Sequence, residues 1–176
     1  MNSVELCRSW LRNGALFLDT ETTGVDESAE IIEIAVINND GGLVYESLIR
    51  PKVLITPKLT ALHGINNEMV AEAPEFWEVY NDLCSKLDGR LIIAYGADFD
   101  ARMFRQTCEL YDLKDVSCHW GCAMQMYQDH IGREKRIKLS DAAEQCRVSR
   151  LGKAHRARAD AETMLQLVSV VAGLGD

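Results

Sequence analysis

Hydrophobic residues follow two different periods along this chain, and the period changes from segment to segment. Short runs of apolar and β-branched residues predict buried strands, whereas apolar residues repeated every three or four positions predict amphipathic helices. Strands are predicted at residues 15–19, 31–38, 43–49 and 91–94, with a weaker one near 116–119. Helices are predicted at residues 4–11, 74–87, 98–111, 122–131, 139–146 and 159–172, and residues 51–70 are expected to form loop or short helical pieces.

The order of these elements indicates the fold class. Three strands come first, and the Asp40-Gly41-Gly42 turn signal predicts an antiparallel hairpin between the second and third. Helices and strands then alternate, so we expect an α/β fold with a mixed five-stranded sheet and helices on both faces. The 176 residues suffice for one core but not comfortably for two. A single domain is therefore expected over residues 1–176, with a packing helix in the N-terminal extension, residues 1–13.

Composition narrows the class of protein. With 47% hydrophobic and 26% charged residues, the chain is typical of a soluble globular protein. No apolar run approaches the roughly 20 residues that a membrane-spanning helix needs. Glu5, Arg8 and Arg12 interrupt the N-terminal region, which excludes a signal peptide there. Six cysteines without paired spacing indicate reduced thiols. We therefore expect a cytoplasmic protein without a membrane partner.

Charge is distributed unevenly along the chain. A net charge of −8 argues against a general nucleic-acid binder. Residues 133–158, however, hold nine of the 19 basic residues and only three acidic ones. We call this segment the basic window. It is either a contact surface for a polyanion or a solvated face.

Two carboxylates end the first predicted strand. Asp19 and Glu21 are separated by one residue, so on an extended strand their side chains point to the same face. Two negative charges held this close are unfavourable unless a cation lies between them, and Mg²⁺ often binds through one or two protein carboxylates. The alternative is a solvated strand end that binds nothing.

Two further acids, Asp100 and Asp160, lie near predicted helix starts, where an acid is often only a cap.

Three segments resemble the three exonuclease motifs of the DEDDh, or DnaQ-like, family. They are Leu18-Asp19-Thr20-Glu21-Thr22-Thr23-Gly24, Ala94-Tyr95-Gly96-Ala97-Asp98-Phe99-Asp100 and His155-Arg156-Ala157-Arg158-Ala159-Asp160. The resemblance extends over nearly the whole chain, from about residue 15 onward. It implies a ribonuclease-H-like fold and a metal-dependent 3′→5′ exonuclease that releases nucleoside 5′-monophosphates. His155 in the third motif disfavours the Tyr-type subclass.

The resemblance also assigns roles to the motif residues. Asp19, Glu21, Asp100 and Asp160 would bind two divalent metal ions, Mg²⁺ or Mn²⁺, and His155 would act as general base. Two such ions, about 3.5–4 Å apart, stabilise the attacking and leaving oxygens of an in-line displacement. An imidazole suits proton removal from water near neutral pH. The partner would be the 3′ end of a nucleic acid, with single-stranded DNA favoured and RNA as the alternative.

Seven residues are candidates for substrate binding. His63 lies in a His-Gly-Ile segment that resembles one beside the terminal nucleotide in many family members, although a structural hydrogen bond explains this histidine equally well. The other six flank the motifs or belong to the basic window: Thr22, Thr23, Phe99, Arg147, Arg150 and Lys153. One departure concerns the second motif, where Tyr95-Gly96-Ala97 replaces the usual His-Asn-Ala. This replacement leaves open how the substrate is held near Asp100.

Three other interpretations are weaker. The spacing Asp19, Glu21, Thr23, Gly24, Glu30 fits the ligand positions of an EF-hand loop, but the flanking segments are predicted strands and not helices. The segment 118–122, Cys-His-Trp-Gly-Cys, offers three zinc ligands without a fourth in a familiar spacing, so core cysteines are favoured. A nuclease fold that binds nucleic acid without cutting it is unsupported, because all five motif residues are present.

Overall fold

The computed structural model describes residues 1–149, 152 and 155–174. Its strands are β1 (Leu16–Thr22), β2 (Ile31–Ile37), β3 (Leu43–Leu48), β4 (Leu91–Ala94) and β5 (His119–Cys122). Its helices are α1 (Ser3–Arg12), α2 (Pro57–His63), α3 (Asn67–Val70), α4 (Phe76–Leu87), α5 (Ala97–Leu110), α6 (Ala123–Ile131), α7 (Leu139–Gln145) and α8 (Ala157–Val171).

The five strands form one mixed sheet in the order β3-β2-β1-β4-β5. β2 pairs antiparallel with both β1 and β3, whereas β4 pairs parallel with both β1 and β5. This topology confirms the predicted α/β fold with a mixed five-stranded sheet. The antiparallel part of the sheet meets the parallel part at the central strand, β1.

Helices cover both faces of the sheet because the central strands are apolar on both sides. Alternate residues of a strand point to opposite faces. On one face, Phe17 of β1 packs in a cluster with residues of α1, α6 and α8. On the other face, Leu16 and Leu18 pack with residues of α4 and α5. β2 is buried at every position, and Glu33 is its one acidic residue.

Two strands differ in their bounds from the prediction. β1 continues to Thr22, beyond the predicted end at residue 19, because β2 pairs with it as far as the Thr22↔Ile31 pair. β5 begins at His119, where the predicted strand 116–119 ends, because parallel pairing with β4 aligns Leu91 with His119. In both cases the partner strand sets the boundary, and the local sequence does not.

Two helices start two residues away from their predicted positions. α4 begins at Phe76, after Pro74, because the backbone N–H of Glu75 donates to Oε2 of Glu78 at 2.8 Å and caps the helix there. α8 begins at Ala157, two residues before the predicted start. The backbone N–H of Ala157 donates to Oε2 of Glu33 at 2.9 Å, so a carboxylate from the sheet caps this helix.

The surroundings of the cysteines bear on the zinc interpretation of segment 118–122. All six cysteines are free thiols. Cys118 packs against the apolar cluster beneath α4 and α5, and Sγ of Cys122 accepts from the backbone N–H of Gln125 at the start of α6. Within the part of the chain that the structure describes, no helix has the length and apolar character needed to cross a membrane.

Candidate active site

The acids of the first motif lie where β1 extends past its parallel neighbour. β4 pairs with β1 as far as Phe17↔Ile93 and ends one residue later. Beyond that point β1 pairs only with β2, so the part of β1 that carries Asp19 and Glu21 borders a crevice. Ligands bind in open α/β sheets at such positions, outside the carboxyl ends of parallel strands. Both carboxylates line a cleft of about 750 Å³.

Asp100 reaches the same cleft from the helix that follows β4. It lies in the first turn of α5 and is only 5% exposed. Thr20, between the two acids of β1, donates its hydroxyl hydrogen to Oδ1 of Asp100 at 2.9 Å. This buried hydrogen bond joins the second motif to the first, and the sequence analysis gave Thr20 no role.

The third motif completes the cleft from α8. Asp160 lies in the first turn of this helix, which packs across β1 and β2. His155 precedes the helix, is exposed, and has a φ of +56°. One potential ligand atom from each of Glu21, His155 and Asp160 lies within 4.8 Å of the other two. Of the described His, Cys, Asp and Glu side chains, these three form the one group in which all the ligand atoms lie this close together.

Burial and mutual repulsion favour the protonated forms of these carboxyl groups. Burial, followed by the charges of the neighbouring carboxylates, raises the pKa of Asp19 well above its ordinary value. The same two causes, in the same order, raise the pKa of Glu21 to about 8. Burial also raises the pKa of Asp100, and the hydrogen bond from Thr20 opposes that rise. A bound cation would offset the unfavourable charge of the ionised forms.

Glu33 fixes the backbone on which His155 lies. It is 3% exposed and stands directly opposite Glu21 on the neighbouring strand. Nε of Arg156 donates to both carboxylate oxygens of Glu33, at 3.0 and 3.1 Å, and Nη2 adds a third contact. Together with the cap at Ala157, these bonds attach the residues just after His155 to the centre of the sheet. The sequence analysis missed Glu33, although an acid inside an apolar run signals a buried partner.

Comparison with known proteins identifies the family. The exonuclease family model, RNase_T, matches residues 16–168. The protein CP81 of Escherichia phage 186, described as an uncharacterized exonuclease, is 37% identical over 177 residues, covering 94% of this chain and 91% of CP81. The chain belongs to this exonuclease family. The exonuclease is also 31% identical to the 3′-5′ exonuclease DinG of Staphylococcus haemolyticus, over 86% of this chain but only 17% of DinG.

Solved structures share the fold of the exonuclease. The nuclease domain of 3′hExo, described as a DEDDh family member bound to rAMP, superposes with a TM-score of 0.76 at 18% identity and covers 90% of each chain. Exonuclease X in complex with 5′ overhanging duplex DNA gives a TM-score of 0.67 at 24% identity, over 90% of this chain and 93% of the other. The family model and CP81 confirm the exonuclease family that the motifs indicated, and the solved structures share its fold. The family is divalent-metal dependent, and the carboxylates described above fit that requirement.

The substrate candidates of the first motif have local partners in the exonuclease. Thr22 donates its hydroxyl hydrogen to the carbonyl oxygen of Gly24 at 2.7 Å. The hydroxyl oxygen of Thr23 accepts from the backbone N–H of Glu30 at 2.9 Å. Both threonines therefore shape the turn after β1. Phe99 lines the cleft beside Asp100.

His63 is buried next to the cleft and does not line it. The ring is 1% exposed, and Nδ1 accepts from the backbone N–H of Ile65 at 3.1 Å. Nε2 has no hydrogen-bond partner among the described residues. Burial lowers the pKa of His63, which favours the neutral ring. The adjacent Leu62 lines the cleft instead, so the geometry favours the structural interpretation of His63.

Among the basic candidates chosen from the sequence, Arg147 is the one that the structure describes, and it does not line the cleft. Arg147 lines a second depression together with Asn39 of the β2–β3 hairpin. That hairpin lies at the amino end of β1, opposite the acids, because Ile37 pairs with Phe17. Arg150 and Lys153 lie outside the described residues. Two other residues of the basic window, Arg136 and Lys138, line the acidic cleft.

Proposed function

We propose that this exonuclease removes nucleotides one at a time from the 3′ end of a nucleic acid strand and releases nucleoside 5′-monophosphates. Single-stranded DNA is the favoured substrate. One observation carries the proposal: Asp19, Glu21, Asp100 and Asp160 line one cleft together with His155. These residues come from β1, α5, α8 and the segment before α8, so their convergence is a property of the fold.

The residues present fit two divalent metal ions. Four carboxylates supply the hard oxygen ligands that Mg²⁺ and Mn²⁺ prefer. The raised pKa values of Asp19, Glu21 and Asp100 mark a place where the ionised forms lack compensating positive charge. Asp19, Glu21, Asp100 and Asp160 would hold the ions. When bound, two divalent ions stabilise the charge on the attacking and leaving oxygens of an in-line displacement at phosphorus.

The protein itself supplies proton removal and positioning. His155 is exposed at the cleft, so its imidazole can accept a proton from the attacking water. Glu33 and Arg156 hold the neighbouring backbone in place during this step. Leu62 and Phe99 give the cleft an apolar wall against which a terminal base can pack. Thr20 restrains Asp100 through its hydroxyl group.

The direction of digestion and the substrate rest on weaker support. Direction is supported by the DinG relative, which is named a 3′-5′ exonuclease. Neighbouring structures include a complex with duplex DNA and a 3′-exonuclease that recognises a histone mRNA stem-loop. RNA is therefore the alternative substrate, and RNA exonuclease 4 of Aspergillus fumigatus, 30% identical over 58% of this chain, supports it. The cytoplasm remains the expected location.

A digestion experiment tests the proposal. Single-stranded DNA, RNA of the same sequence and duplex DNA, each labelled at the 5′ end, are incubated with the protein and Mg²⁺ or Mn²⁺. We expect a ladder of progressively shorter labelled strands, most rapidly from single-stranded DNA, and no products with EDTA or with Asp100→Ala. Undiminished digestion in EDTA, or cleavage of a closed single-stranded circle as the main activity, would refute the proposal.

A further inference from the structure

The basic residues of the window that the structure describes separate into groups by their surroundings. Arg156 is paired with Glu33, and Arg158 with Glu46 and Glu162. Arg147 lines the second depression. Among the described lysines and arginines of the window, Arg136 and Lys138 line the acidic cleft.

Arg136 and Lys138 remain available for an anion. Both side chains are exposed, and neither forms an ion pair with any residue that the structure describes. Between them Ile137 is buried, at 5% exposure, in the cluster beneath α8. All three residues line the cleft, and the two basic side chains are its exposed members here.

Two hydrogen bonds hold this segment against the rest of the protein. The hydroxyl group of Tyr95 donates to the carbonyl oxygen of Ile137 at 3.0 Å. Nε2 of Gln128, in α6, donates to the carbonyl oxygen of Glu134 at 2.7 Å. The segment is thus fixed on both sides of Arg136. Tyr95 of the second motif therefore anchors a basic segment beside the cleft.

Gly96 lies beside the Arg136 side chain. A Cβ atom built on Gly96 would lie 3.8 Å from Nη2 of Arg136, so the guanidinium lies just above this glycine. Two neighbouring residues of the second motif therefore contact or border this segment: Tyr95 donates to its backbone, and Gly96 lies beneath its arginine.

We propose that Arg136 and Lys138 bind the backbone phosphates on the 5′ side of the scissile bond, and that Tyr95 is the positioning residue for this subsite. The inference rests on the proposed function. Charge supports it, because the acids that would bind metal repel every phosphate that a metal ion does not contact. Guanidinium and ammonium groups are common phosphate ligands in proteins.

Two substrates isolate the subsite. The 5′-p-nitrophenyl ester of thymidine monophosphate presents a terminal nucleotide and a scissile bond without upstream phosphates. A single-stranded oligonucleotide presents the scissile bond together with the upstream phosphates. DNA is used, or RNA if the wild-type protein prefers RNA. Arg136→Gln should lower kcat/KM for the oligonucleotide by about tenfold more than for the ester, because a hydrogen bond to a charged group is lost. Lys138→Gln should act in the same direction.

Salt dependence and a matched control strengthen the comparison. In an inactive Asp19→Ala background, each lost phosphate contact should reduce the slope of log K against log salt by about 0.7 for a single strand. Arg147→Gln removes the same charge from the same basic window but from the second depression. Its slope and its ratio of oligonucleotide to ester turnover should match those of the parent protein.

The positioning role has its own test. Tyr95→Phe removes only the hydroxyl group, and thermal unfolding verifies that the variant folds. Tyr95→Phe should raise KM for the oligonucleotide with little effect on kcat. This rise in KM should largely disappear when Tyr95→Phe is combined with Arg136→Gln.

The outcomes separate this inference from the proposed function. If the wild-type protein hydrolyses neither the ester nor the oligonucleotide with Mg²⁺ or Mn²⁺, the proposed function fails. If it hydrolyses both, and Arg136→Gln and Lys138→Gln change the two activities equally or not at all, the phosphate subsite is refuted. An effect of Arg147→Gln as large as that of Arg136→Gln would also refute it, since the contribution would then be a general effect of charge.

Discussion

Replacing Glu21 with glutamine should stabilise the metal-free protein. Glutamine has nearly the same shape as glutamate but carries no charge, so Glu21→Gln removes one member of a crowded group of carboxylates. The pKa of Glu21 rises from 4.5 to about 8 on folding, mainly through burial and then through the neighbouring carboxylates. The folded protein therefore holds this proton more tightly than the unfolded chain does, and protonation favours folding.

The size of this stabilisation follows from the pKa values of Glu21 in the unfolded and folded states. Below pH 4.5 Glu21 is protonated in both states, so its burial carries no ionisation penalty on folding. As the pH rises, the unfolded chain ionises first, and the penalty on folding grows until it is complete above about pH 8. The penalty is about 3 kcal/mol at pH 7 but less than about 1 kcal/mol at pH 5. Glu21→Gln should recover most of it, which corresponds to a rise in Tm of roughly 6 °C or more at pH 7.

Thermal and urea unfolding in EDTA, at pH 5 and at pH 7, measure this effect. Glu72 is exposed, so Glu72→Gln serves as the control and should change stability by less than about 0.5 kcal/mol at either pH. Added Mg²⁺ should reverse the order of the two proteins, because the wild type gains binding energy that the variant has partly lost. A variant that is no more stable than the wild type in EDTA at pH 7, or a gain that is equal at both pH values, would refute the reasoning.

Three further predictions concern the site and its support. His155→Ala should slow the single-turnover chemical step by about 10²–10⁴-fold, while its Mg²⁺ affinity, measured by calorimetry, should be nearly unchanged. Asp19→Ala should abolish both the chemical step and Mg²⁺ binding. Full turnover without His155 would contradict its role as general base. Glu33→Gln should destabilise the protein to urea by about 1–3 kcal/mol, because buried hydrogen bonds to a charged group are lost; an unchanged unfolding midpoint would contradict this. Gly121→Ala should cost about 1–3 kcal/mol, since the new Cβ would lie 2.6 Å from Cδ1 of Ile93. Ile93→Val in the same chain should recover part of that loss, and no recovery would place the strain elsewhere.

The sequence predicted those features that local chemistry determines. The strands and helices have the predicted types and order because hydrophobic periodicity reports which face of an element is buried. Asp19 and Glu21 were indicated by their spacing on a strand, whereas Asp100, Asp160 and His155 were selected through the resemblance to the family motifs. The structure brings all four acids and His155 to one cleft. Their individual roles remain predictions, to be tested by the substitutions above.

The features that the sequence did not predict depend on contacts between distant residues. Glu33 was overlooked because its partner, Arg156, is 123 positions away. The basic window indicated an excess of charge but not which side chains reach the cleft. That selection depends on the anchor from Tyr95, which places Arg136 in the cleft, whereas Arg147 is directed to the far end of the sheet. The ends of β1 and β5 were misplaced for the same reason, since partner strands determine them.

The bond between β2 and the start of α8 also sets when the candidate site is completed during synthesis. A growing chain that has emerged only as far as α7 already carries Asp19, Glu21 and Asp100, but it lacks His155 and Asp160. Docking of α8, fastened by Glu33 to Arg156, adds both side chains together. On the roles proposed for His155 and Asp160, digestion would begin only after the protein has folded as far as α8.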